Sequence, residues 1–127
     1  MTEHKARILL AEDDLTTQLA TLAILENLGI SADAVANGQE AIAALEATPY
    51  ALVLMDCQMP VLNGYEATRA IRNGQSKVHD QQVPVIALTA STTLTERARC
   101  LECGMDDFLA KPVLLNPGRD TRQMVTQ

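Results

Sequence analysis

Asp56 closes an apolar run, Ala51-Leu-Val-Leu-Met55, and two more acidic residues, Glu12 and Asp13, follow another, Ile8-Leu-Leu-Ala11. Thr89 and Lys111 end two further runs of the same kind. In an open α/β sheet, side chains at the carboxyl ends of parallel strands converge on one crevice. Three carboxylates, a hydroxyl and an ammonium in one crevice suit a divalent cation and a phosphoryl group. Carboxylates ~4 Å apart repel by about 4 kcal/mol at an effective dielectric near 20, and a bound cation reverses that sign. Carboxylate oxygens favour a hard ion, and Mg2+ takes one or two of them, keeps waters and draws further oxygens from phosphate. An aspartate carboxylate can itself attack phosphorus to form an acyl phosphate. Lys111 offers a point charge to such a group and Thr89 a hydroxyl donor.

Those residues need parallel strands to carry them. Short apolar runs alternate with helical patterns along the chain, as in βα units around a parallel sheet. Strands are predicted at Arg7–Ala11, Ser31–Val35, Ala51–Met55, Val85–Leu88 and Asp107–Ala110. Leu15, Leu19, Leu22 and Leu25 recur at helical spacing, and Gly29 fits a helix stop. Asn37 and Glu40 form a capping pair for a helix through Glu46, and Pro49 helps to end that segment. A third helix is predicted from Gly64 to Asn73, and a fourth, capped by Thr93 and Glu96, ends before Gly104. Gly74–Pro84 is polar and aperiodic and reads as an exposed loop. Asn116-Pro-Gly118 interrupts any fifth helix, so a short or frayed terminal helix is expected. The alternation predicts a doubly wound, three-layer α/β/α fold.

Bulk properties limit the alternatives. The 127 residues form one domain, and 47% of them are hydrophobic, enough for a core. That core must be aliphatic, with one Phe, two Tyr and no Trp. A net charge of −6 argues against nucleic-acid binding, which needs a basic face. The apolar runs fall far short of the ~20 residues that span a bilayer, and no export leader opens the chain, so a cytoplasmic setting away from the membrane is expected. Three cysteines there read as reduced thiols.

Five segments carry a family resemblance: Ile8-Leu-Leu-Ala-Glu-Asp-Asp14, Met55-Asp-Cys-Gln-Met-Pro60, Asn63-Gly-Tyr-Glu-Ala-Thr-Arg-Ala-Ile-Arg72, Ala87-Leu-Thr-Ala90 and Gly104-Met-Asp-Asp-Phe-Leu-Ala-Lys-Pro112. In this order they resemble response-regulator receiver domains, and their wording is most similar to receivers attached to hybrid sensor histidine kinases. The resemblance covers residues 5–115 and leaves 116–127 as an atypical tail. It implies the flavodoxin-like strand order 2-1-3-4-5 and a phosphoryl group taken from a phosphohistidine. By position it makes Asp56 the acceptor, with Asp13, Asp56 and the Gln58 backbone carbonyl as ligands of Mg2+, or of Mn2+ as an alternative. Glu12 would reach the metal through water. Lys111 would pair with the acyl phosphate and Thr89 would bond its oxygen. Phe108 matches the switch aromatic, which turns inward when Thr89 is drawn to the phosphate. The implied partner is a histidine kinase or a histidine phosphotransfer domain, with the output partner unspecified. The chain is either a stand-alone regulator or a piece of a hybrid kinase.

Two other readings compete. A phosphorylation-independent docking receiver would not need the full set of Glu12, Asp13, Asp56, Thr89 and Lys111. An aspartate-nucleophile phosphatase needs a second acid two residues after the nucleophile, where Gln58 stands. Cys100-Leu-Glu-Cys103 has redox spacing but closes a helical pattern, whereas a reactive pair belongs at a helix N-terminus. Cys57 reads as packing, and neither His4 nor His79 is assigned a role.

Overall fold

In the computed structural model, residues 7–74, 77–89 and 93–110 are described. Five strands, β1 (Arg7–Ala11), β2 (Ser31–Val35), β3 (Leu52–Asp56), β4 (Val85–Thr89) and β5 (Asp107–Ala110), alternate with four helices. The helices are α1 (Leu15–Asn27), α2 (Gly38–Ala47), α3 (Gly64–Arg72) and α4 (Leu94–Cys103). All neighbouring strands are parallel, in the order β2-β1-β3-β4-β5. β3 and β4 each run one residue further than the apolar runs suggest, so Asp56 and Thr89 are the last residues of their strands.

Strand periodicity splits the core between two faces. Leu9, Ala11, Val53, Met55, Val85 and Ala87 point to the side of α2, α3 and α4. Ile8, Leu10, Leu52, Leu54, Ile86 and Leu88 point to the other side, where Leu25 of α1 packs. Central strands buried on both faces explain why they read as unbroken apolar runs.

Each helix is capped by its own sequence. Asp14 accepts from Thr17 N at 2.9 Å, Asn37 from Glu40 N at 2.8 Å and Asn63 from Glu66 N at 2.9 Å. The α3 cap is reciprocal, with Glu66 accepting from Asn63 N at 3.3 Å. Thr93 accepts from Glu96 N at 3.2 Å. Gly104 ends α4 at φ 107°, in the left-handed region open to glycine.

The helix read from the leucine spacing forms as α1, with Leu15 and Leu19 exposed and Thr21 and Leu25 buried. At ~100° per residue the buried face centres on Thr21 and Leu25, which turns Leu15 and Leu19 toward solvent. One expectation is corrected: the segment 74–84 is more than an exposed loop, because Val83 is buried and Val78 packs against the core. The predicted fifth helix and tail lie outside the described residues.

Candidate functional site

β1 and β3 end side by side, with Leu10 opposite Leu54 and Ala11 opposite Met55. The next residues of β1 must therefore meet Asp56. Glu12 continues the ladder, its N–H donating to Val35 O at 3.0 Å, and its side chain is fully buried. Its Oε2 accepts from Asp14 N at 3.1 Å. Asp13 is exposed where the chain turns into α1, and Gln18 pins that turn by donating to Glu12 O at 3.0 Å and Val35 O at 3.3 Å.

Asp56 is 2% exposed, and its Oδ1 accepts from Gln58 N at 3.3 Å. One carboxylate oxygen each from Glu12, Asp13 and Asp56 lies within 4.8 Å of the others. Backbone bonds fix the segment just after Asp56 against β4 and the start of α3, through Cys57 N to Leu88 O at 3.1 Å and Gly64 N to Cys57 O at 3.2 Å. Gly64 must be glycine: a Cβ there would stand 2.3 Å from Asp56 O. The donor set fits a hard divalent cation, since three convergent carboxylates gain most from a small ion with open positions for water and phosphate.

The loop between β3 and α3 carries backbone strain. Leu62 N donates to Pro60 O at 2.7 Å across Val61, whose φ is 69°. That is a γ-turn with a β-branched residue at its centre, a conformation that only a surrounding structure can impose. Composition carried no signal for it, because Val is disfavoured there.

Thr89 is 6% exposed and follows Leu88, the register partner of Asp56. Phe108 lies opposite Ala87 on β5, half-buried against the core, with the Arg97 guanidinium 4.8 Å from its ring centroid. Gln58 is exposed beside the trio. Lys111 lies outside the described residues. The structure thus brings Glu12, Asp13, Asp56 and the Gln58 backbone together, with Thr89 on the adjoining strand end.

Burial pushes the Cys57 thiol up to about 12, and raises those of Cys100 and Cys103 as well. All three are free and buried. The Cys100–Cys103 pair at the end of α4 is therefore packing, as its position on the helix suggests.

A doubly wound parallel sheet in the order 2-1-3-4-5, with three carboxylates converging at its strand ends, is a flavodoxin-like α/β domain with an acidic crevice. The response regulator receiver domain model matches residues 8–120, and the chain belongs to that family. The receiver domain of sensor histidine kinase PA1611 from Pseudomonas aeruginosa, solved with a magnesium ion in its active-site cleft, is 42% identical at a TM-score of 0.76. The alignment covers 87% of this chain and 88% of that one. The co-crystal structure of the Saccharomyces cerevisiae phosphotransfer protein Ypd1 with the receiver domain of Ssk1 contains a chain 31% identical at a TM-score of 0.82. That match covers 99% of this chain and 90% of the other. Sensor histidine kinase GacS of Pseudomonas protegens is 37% identical over 113 residues, 89% of this chain and 12% of that protein. The chain thus spans about an eighth of the length of such relatives. No helix among the described residues is long and apolar enough to cross a membrane.

Proposed function

We propose that this receiver accepts a phosphoryl group on Asp56 from a phosphohistidine, using Mg2+, and thereby changes its partner-binding surface. The convergence of Glu12, Asp13 and Asp56 within 4.8 Å carries the reading. Asp13, Asp56 and the Gln58 carbonyl would hold the ion, with Glu12 acting through water and Mn2+ able to substitute. When bound, the ion neutralises charge on the carboxylates and the incoming phosphoryl oxygens.

The remaining steps belong to the chain. An Asp56 oxygen attacks phosphorus, a P–O bond forms, the P–N bond to the donor imidazole breaks, and that nitrogen regains a proton. The end of β3 fixes the position of the Asp56 carboxylate, which is almost wholly buried. Lys111 would pair with the new acyl phosphate. Thr89 would donate its hydroxyl to a phosphoryl oxygen, and Phe108 would follow it inward. On this reading the domain is a signalling acceptor with at most self-phosphorylation and self-dephosphorylation. It would span residues 5–115, followed by the tail 116–127, work in the cytoplasm and form a part of a hybrid kinase.

The test is intact mass after incubation with acetyl phosphate, with and without Mg2+. A single Mg2+-dependent adduct of one phosphoryl group is expected on the wild type and none on Asp56→Asn. An adduct at the same site in the variant would sink the assignment. For a partner, a histidine kinase or histidine phosphotransfer domain is favoured by the exposed Leu15 and Leu19, which begin α1 directly beside Asp13. Leu19→Glu is expected to slow transfer from a phosphohistidine donor about tenfold while acetyl phosphate labelling stays unchanged. Equal slowing with both donors would place the defect in the acceptor instead.

A further inference from the structure

α4 is held to the acceptor segment by a side chain that the chemistry above does not use. Tyr65, on the first turn of α3, is 2% exposed and directly follows Gly64, the residue pressed against the Asp56 carbonyl. Its hydroxyl donates to the Glu96 carboxylate on the first turn of α4. The Arg99 guanidinium, three residues on, stacks over the Tyr65 ring at 4.1 Å from its centroid. Glu96 stands at the position from which an acidic side chain usually returns to its own N-cap. Here Thr93 caps the Glu96 N–H while the carboxylate leaves for Tyr65. One half of the local cap is thereby exchanged for a tertiary contact.

Tyr65 also shares one buried core cluster with Cys57, the residue after the acceptor, and with Cys100 of α4. Cys57 and Cys100 are 2% and 1% exposed, so the space is tightly filled. Solvent has no access there, so Tyr65 and α4 are among the groups packed around the segment 56–57.

We propose that Tyr65 is a positioning residue that anchors α4 to the acceptor segment and relays a change at Asp56 to α4 by a route separate from Thr89 and Phe108. This rests on the acceptor reading of Asp56. The relay consists of a packed contact and one strong hydrogen bond, and its warrant must be a measured coupling rather than adjacency.

The experiment is amide hydrogen exchange across Leu94–Cys103 in the full chain, on wild type, Tyr65→Phe, Thr89→Ala and the double variant. Samples are measured before and after acetyl phosphate with Mg2+, and intact mass sets equal phosphoryl occupancy. Tyr65→Phe keeps the ring and its guanidinium contact but loses the hydroxyl. In unmodified protein it is expected to raise opening of the first α4 turn about tenfold, the scale of a hydrogen bond to a carboxylate, with α2 unchanged. Glu96→Gln should move in the same direction, and the two substitutions combined should add little to either. After phosphorylation, Thr89→Ala should keep part of the α4 response and the double variant none. The anchor is overturned if unmodified Tyr65→Phe exchanges like wild type. The relay is overturned if Thr89→Ala alone erases the response, or if Tyr65→Phe leaves it whole at equal occupancy. If the wild type gains no phosphoryl group, the acceptor reading falls and the relay with it, while the unmodified samples still decide the anchor.

Discussion

The two ends of the sheet treat charge in opposite ways. At the amino ends of the strands, charges are paired and bonded. Arg72 donates to Gly104 O at 2.9 Å, Gln81 O at 2.8 Å, Val83 O at 2.7 Å and Asp106 Oδ2 at 2.7 Å, clamping α3 to the starts of β4 and β5. Arg7 pairs with Asp33, which also accepts from the Tyr50 hydroxyl at 2.7 Å. At the carboxyl ends, Glu12, Asp13 and Asp56 are pressed together with like sign. Among the described residues, one end spends its polar groups on holding the fold, and the other gathers three carboxylates where a divalent cation could sit.

The largest effect that separates the ends is expected at Arg72. Its side chain is only 16% exposed and satisfies three carbonyls besides a carboxylate. Arg72→Met should lower unfolding free energy by about 3 kcal/mol, because the stranded carbonyls lose a charged donor. Urea denaturation reads this, and Mg2+ affinity should stay within about twofold, as the clamp lies at the far end from the carboxylates. A large loss of Mg2+ binding in a folded variant would mean that the two ends are not separable.

Mg2+ itself should act next most strongly, and only through the crevice. At a free concentration ~100 times its dissociation constant, it should stabilise the wild type by about 2.7 kcal/mol. Asp56→Asn should lose most of that gain. Thermal unfolding with and without the ion checks this, and equal stabilisation of wild type and variant would show that the ion binds outside the crevice.

How far these ends could be read in the sequence follows the same division. The strands were legible because Val, Ile and Leu runs mark buried parallel strands. The crevice was legible because Asp56, Glu12, Asp13 and Thr89 all stand at the same end of such runs, and topology then brings them together. The N-caps at Asn37 and Thr93 were local and therefore visible. The Arg72 clamp was not, since its partners lie 9 to 34 residues away and no periodicity announces a long-range contact. The Tyr65–Glu96 bond, 31 residues apart, was hidden for the same reason, and Glu96 had a local role that looked sufficient. Segment 74–84 misled because its anchors, Val78 and Val83, are single apolar residues in a polar stretch.

The smallest effect lies at the paired end and depends on pH. Hydrogen bonds from Arg7, then from Tyr50, hold the Asp33 carboxyl below its usual range. Its contribution is therefore complete above the unfolded value of ~3.9 and is lost as pH falls through the lower folded value. Burial, helped by the bond to Asp33, pushes the Tyr50 hydroxyl up to about 12. Its sign is opposite: the contribution is complete below the unfolded value of ~10 and is lost as pH rises from there toward 12. The Arg7–Asp33 pair is partly exposed, so solvent screens it and its acid-side effect is small. Tyr65 is also raised by burial and its bond to Glu96, so the wild-type alkaline curve alone does not isolate Tyr50. The difference between wild type and Tyr50→Phe does. That difference, read as the urea midpoint, should stay flat from pH 7 to about 10 and then narrow as pH climbs. A difference that widens above pH 10 would mean that Tyr50 ionises more easily folded than unfolded, and that its bond to Asp33 is not kept in solution.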